Sequence, residues 1–175
     1  SWVRFMEINI KIKKKIKKNE LGDFFRVTFN EMNSEDLQKL TPEKHQGLEG
    51  WFSMNELVSY LKHGYVIEAR NKEKQLIGAL FIGKQNPLTW PDGKKVEIFI
   101  LSVSKPLRGQ GIGSLLMKKA EEVANRMGAR KIVLNTNVAL LSSQRLYQRL
   151  GYKQIGILED YYDNGNAVFF AKMIC

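Results

Sequence analysis

The chain has 175 residues, 43% apolar and 26% charged, with a formal net charge of +10. That length suits one domain with a buried core, and no apolar run approaches the roughly 20 residues that a membrane span needs. A single cysteine, Cys175, excludes an internal disulfide and a cysteine-based zinc site; with no secretory h-region to read, a reducing cytoplasm is the expected compartment.

In chain order, the charge comes first. Residues 1–18 hold seven basic side chains and one acid, so residues 1–22 read as a basic extension before a domain over 23–175. Such an arm either meets nucleic acid, ribosome or another acidic partner, or is a solvated, mobile tail. "FFRVTFNEM" alternates apolar and polar positions at Phe25, Val27 and Phe29 and predicts a strand. "NSEDLQKL" predicts a helix capped by Asn33 or Ser34. Residues 41–64 read as a loop and a second helix, capped by Ser53 or Asn55 and ended by Gly64.

"YVIEA" and "QLIGALFIG" predict two strands, "NPLTWPDGKK" a long connection, and "VEIFILSV" a central strand. Ile112, Leu115, Leu116, Ala120, Val123, Ala124 and Met127 then share one face of an amphipathic helix that ends at Gly128. "RKIVLNT" is a strand, residues 138–150 a helix, and "YKQIGIL" and "NAVFFAKMI" two last strands around the turn "EDYYDNG". This order predicts an α/β fold: a mixed sheet of six to seven strands flanked by about four helices.

Between the central strand and the amphipathic helix stands "RGQGIG", with Gly109, Gly111 and Gly113 on alternate positions behind Arg108. A strand that enters a glycine-rich turn and then a helix presents backbone N–H groups and the positive helix end to a phosphate. The spacing is neither GxxxxGK[ST] nor GxGxxG, which sets aside the nucleotide P-loop and the dinucleotide fingerprint. His45 and His63 show no metal-ligand spacing, so no metal site is expected.

The loop does fit the pattern Q/R-x-x-G-x-G/A through Arg108, Gly111 and Gly113. With "EIFILSV" before it, "LNTNVALLSSQRLYQRLGY" after it and "GYKQIGILEDYYDNGNAVFFAKMI" at the end, the chain from about Phe25 resembles the GNAT superfamily of N-acetyltransferases. Its tail is similar to the ribosomal-protein alanine acetyltransferase branch. The resemblance implies a mostly antiparallel sheet, acetyl-CoA as cofactor and direct transfer to an amine, on a protein or a small molecule, in a ternary complex. Its pyrophosphate would lie on the amides of Arg108, Gly109, Gln110, Gly111, Ile112, Gly113 and Ser114. Its pantetheine arm would pair with Leu101, Ser102 and Val103.

Asn137 matches a donor to that arm and equally an N-cap of the following helix. Arg149 matches a basic position near the ribose phosphate and equally an exposed helix charge. Glu97 matches the general base, against the alternative of a strand acid turned to solvent or paired with Lys94 or Lys95. Tyr147 matches the tyrosine facing the sulfur, against the alternative of a core aromatic. The chain departs from the ribosomal branch at Asn135, which stands where that branch carries a catalytic glutamate. The competing class is a non-catalytic CoA- or nucleic-acid-binding module that uses the basic arm. A monomer or homodimer is expected, with no membrane partner.

Overall fold

The computed structural model describes residues 7–32, 61–84, 94–162 and 165–174. Seven strands form one sheet in the order β1-β2-β3-β4-β5-β7-β6: β1 Asn9–Lys13, β2 Gly64–Arg70, β3 Leu76–Lys84, β4 Lys95–Val103, β5 Lys131–Asn137, β6 Lys153–Tyr162 and β7 Gly165–Met173. Three α-helices lie among the described residues: α1 Lys18–Met32, α2 Ile112–Arg126 and α3 Leu141–Arg149. All neighbouring pairs are antiparallel except β4 with β5, joined by the α2 crossover. The mixed, mostly antiparallel sheet is as expected.

The sheet buries two cores. On one face α2 brings Ile112, Leu116, Ala120 and Val123 against Ile67, Leu80, Ile82, Val96 and Ile98. On the other, Leu21 and Phe25 of α1 pack on Val66, Ala79, Phe81 and Ile100. A bulge between Phe81 and Ile82 in the β3–β4 ladder skips Phe99 and switches the facing of β4. Val96 and Ile98 therefore serve the α2 core, whereas Ile100 serves the α1 core.

Two expectations are corrected here. The strand read over Phe25–Phe29 is the second half of α1. Its buried positions Leu21, Phe25 and Thr28 follow a spacing of four and three, which is helical, while Val27 is 56% exposed. The alternation was a coincidence of a helix that carries one outward valine. Replacing Phe25 (1% exposed) by alanine is expected to cost about 3–5 kcal/mol. Val27→Asp is expected to stay within about 0.5 kcal/mol of the parent. A strand would place both side chains on one face and make both changes costly; urea unfolding distinguishes the cases.

The second correction concerns the N-terminal stretch. Residues 9–13 are an edge strand of the sheet and residues 18–22 open α1, so neither is set apart from the domain. Buried Glu68 of β2 meets Lys13 at 2.9 Å and Arg70 at 2.9 Å. Arg70 also forks onto both oxygens of Glu20 at 2.7 and 3.0 Å, and this hydrogen bonding holds the Glu20 carboxyl below its usual range. Gly64, expected to end a helix, opens β2. The helices read between 33 and 60 and the connection at 86–93 fall outside the described residues.

Candidate active site

The ladder between β4 and β5 runs from Lys95↔Lys131 to Ile98↔Leu134 and stops, although the strands continue to Val103 and Asn137. The parallel pair thus opens toward its C-terminal ends, where the loop after β4 begins. A short 3-10 turn, Lys105–Leu107, is fixed by Pro106 and hands the chain to Arg108. Gly109 (φ +75°) and Gly111 (φ +89°) then take left-handed backbone, which a side chain would resist. Gly111 is the N-cap of α2, and the first helical bond is donated by the Leu115 N–H to the Gly111 carbonyl at 3.0 Å. The N–H groups of Ile112, Gly113 and Ser114 therefore have no intrahelical acceptor, and no acid stands in this first turn.

These elements and α3 enclose a cleft of about 430 Å³. It takes in Leu101, Ser102 and Val103 of β4, Arg108, Gly109, Gly111, Ile112, Gly113 and Ser114 of the loop, and Arg149 of α3. Ten of the twelve residues proposed for the cofactor are therefore brought together.

The other two are placed elsewhere. The Gln110 side chain donates to the Pro106 carbonyl at 3.1 Å and is not part of the lining. Asn137 is 2% exposed and its Oδ1 accepts from the Ala139 N–H at 2.9 Å. It caps the turn ahead of α3, whose own N-cap is Leu140, so α3 starts three residues later than the expected 138.

Arg108 lends the cleft its backbone more than its charge. Its Nε donates to the Val103 carbonyl at 3.0 Å, and its guanidinium reaches the Thr28 carbonyl at 3.2 Å and Glu31 at 3.4 Å. It ties the loop to β4 and to the C-terminal part of α1. Gly113 has a different task from its two neighbours: a Cβ there would stand 3.2 Å from Leu146 Cδ2. It lets α3 approach α2.

Sequence reasoning missed the contribution of Arg145, Ser142 and Ser143, which line the cleft from α3. Arg145 precedes Arg149 by one helical turn, so their spacing was the available signal. Together they put two cations opposite the helix end. Ser102 adds a further mark: its Oγ is buried with no hydrogen-bond partner among the described residues, an orphaned group suited to a polar ligand arm.

On the α1 face of the sheet a second group gathers beside the open end of β4 and β5. Ile132 and Leu134 face the α2 core, so Val133 and Asn135 share the opposite face with Glu97 through the Glu97↔Val133 register. Asn135 is opposite Phe169 of β7, and Tyr161 meets the Phe169 ring edge-on at 5.5 Å. The Tyr162 hydroxyl donates to Asn135 Oδ1. Burial, then the neighbouring Tyr161, Tyr147 and Glu97 charges, keep that hydroxyl protonated well above the usual tyrosine range. Glu97 is half-buried here. Tyr162 was also missed; only the aromatic turn at the end of β6 hinted at it.

Tyr147 of α3 is 7% exposed, with ring centroids 5.7 Å from Phe170 and 6.3 Å from Tyr152. Burial pushes its hydroxyl up to about 12. It is outside the cleft lining but close enough to bear on Tyr162. No group of metal-ligating side chains occurs among the described residues, and no helix among them is long and apolar enough to cross a membrane.

Human N-acetyltransferase 8B is 35% identical over 94 residues, 53% of this chain and 39% of that protein. N-alpha-acetyltransferase 30 of Schizosaccharomyces pombe is 38% identical over 72 residues, 41% of this chain and 48% of the relative. The chain thus spans less than half the length of these two relatives. A Bacillus subtilis acetyltransferase solved in complex with CoA superposes with a TM-score of 0.68 over 97% of this chain and 100% of that one, at 21% identity, a likeness of fold. The model of the acetyltransferase (GNAT) family matches residues 25–152, and on that match the chain belongs to the GNAT family.

Proposed function

We propose that this chain is an acetyl-CoA-dependent N-acetyltransferase acting directly on a primary amine, of a protein or a small molecule. The observation that supports it most is the cleft itself. A left-handed glycine loop, the acid-free N-terminus of α2, Arg145 and Arg149 converge on one volume of about 430 Å³, a combination suited to a phosphorylated ligand. The residues fit acetyl-CoA: loop amides and two arginines for its phosphates, and Leu101–Val103 with the orphaned Ser102 hydroxyl for its amide arm. When bound, acetyl-CoA supplies an acetyl group activated as a thioester.

The chain's own groups then divide the work. An alkylammonium, with pKa near 10, cannot attack until it loses a proton. Glu97 is the acid of β4 on the α1 face, beside Asn135 and Tyr162, and in this reading it takes that proton, directly or through water. Asn135 has no basic group, and its amide oxygen is already engaged by Tyr162; it and Tyr162 shape the acceptor side. Tyr147 serves the departing sulfur as a hydrogen-bond donor. Its hydroxyl near 12 lies about three pKa units above a thiol at roughly 8.5, so full proton transfer would be uphill by about 4–5 kcal/mol.

The glycine loop gives the direct test. Gly111→Val forces a branched side chain to adopt φ +89° and sets a methyl pair beside the amides. Acetyl-CoA affinity measured by calorimetry is expected to fall at least tenfold, about 1.4 kcal/mol. Unchanged affinity in a folded variant would overturn the phosphate cradle. A screen of peptides and small amines, read by CoA release, identifies the acceptor.

A further inference from the structure

We propose that the edge formed by β1, the start of α1 and the β2–β3 turn is a docking ridge for the phosphodiester backbone of double-helical nucleic acid, bound without regard to sequence. The proposal stands on surface charge and does not depend on the acetyl-transfer reading. Residues 11–18 read "KIKKKIKK", six lysines in eight positions. The two isoleucines are turned inward: Ile12 packs on the α2-side core and Ile16 on the α1-side core. With Ile8 and Ile10 also packed on the body, the segment is fastened down and its lysines are displayed along a fixed edge.

The charges there are unequal in kind as well as number. Residues 7–20 and 68–74 together hold nine cationic and four acidic side chains. Two of the acids are already used inside the fold, Glu68 by Lys13 and Arg70, and Glu20 by Arg70. Lys11, Lys14, Lys15, Lys17 and Lys18 are exposed, and Lys14 also lies over the Tyr65 ring at 5.0 Å. Lys72 and Lys74 of the β2–β3 turn join Lys11 around a groove of about 420 Å³. The positive end of α1 adds its partial charge beside Lys17 and Lys18.

An edge strand needs only a charge or two to deter pairing with another sheet, so this density exceeds that purpose. An anionic bilayer is the poorer fit. Surface-seeking segments insert apolar side chains beside their cations, and none of the exposed large hydrophobic residues lies within 7–20. Among the described residues no exposed aromatic ring stands beside the lysines to stack single-stranded bases, and the Tyr65 ring is half-buried under Lys14. A duplex backbone asks for neither. The ridge is at the N-terminal end of α1, whereas Arg108 and the glycine loop meet its C-terminal part, some 15–20 Å away along the helix.

The test uses the full chain, a fluorescein-labelled 20-base-pair RNA duplex, the corresponding DNA duplex, and vesicles of phosphatidylcholine with phosphatidylserine. Four ridge contacts predict a slope of log affinity on log salt of about −3.6. Changing Lys11, Lys15, Lys17 and Lys18 together to glutamine should lower duplex affinity at least about tenfold near 0.1 M salt and flatten that slope. A control with the same charge loss elsewhere, Lys62, Lys118, Arg130 and Lys153 to glutamine, should keep most of the affinity. Acetyl-CoA binding should be unchanged in both. Absence of salt-dependent duplex binding, equal losses in the two variants, or tighter binding to the vesicles than to either duplex would each overturn the ridge.

Discussion

Glu97→Gln is expected to lower kcat by about 100-fold while leaving acetyl-CoA affinity near that of the parent. The carboxylate is on the α1 face of β4 and is not part of the glycine-loop cleft, so its loss should not disturb the cofactor's phosphates. Glutamine keeps the shape and removes the proton affinity, and general-base help is commonly worth that much. The deficit should shrink as pH rises toward 10, because the acceptor amine then deprotonates without assistance. The measurement is steady-state CoA release across pH 6–10 on the best acceptor from the screen. A variant as fast as the parent at neutral pH would assign the proton to another group.

Tyr147→Phe is expected to lower kcat by about 30-fold, the value of one hydrogen bond to a developing anion at about 2 kcal/mol. The ring contacts with Tyr152 and Phe170 survive the change, so the fold and cofactor affinity should persist. Turnover equal to the parent would leave Tyr147 as a core aromatic alone. A second readout is independent of any acceptor. In the unfolded chain a tyrosine ionises near 10, whereas in the fold Tyr147 keeps its proton to about 12. Between those values the native state binds more protons, so stability is complete below pH 10 and falls as pH rises to 12, by roughly 2–3 kcal/mol from this group. The phenylalanine variant should show a shallower alkaline fall in thermal denaturation. A slope equal to the parent's would place the hydroxyl in water.

The glycine-rich loop was readable from its residues because its requirements are local. Gly109 and Gly111 are needed for their own φ, and Ile112, Leu116, Ala120 and Val123 mark α2 by a period that any one helix displays. The mixed sheet followed from the order of its elements for the same reason. Phe25 shows where that reasoning fails: over five residues an outward valine imitated strand alternation, and only the packing of Leu21 and Phe25 on Phe81 and Ile100 settled the helix.

The contacts of the candidate site were decided by the tertiary structure. The Arg108 guanidinium is spent on a carbonyl 80 positions away, and Tyr162 finds Asn135 across 27 residues. Arg145 becomes part of the cleft because Gly113 lets α3 approach α2. The lysines of residues 11–18 became a fixed edge once Ile12 and Ile16 found their two cores. A backbone preference or a helical period is a property of neighbouring residues, so it is written in the sequence. A meeting between side chains on separate strands depends on the register and burial of every element between them, and no short stretch of residues carries it.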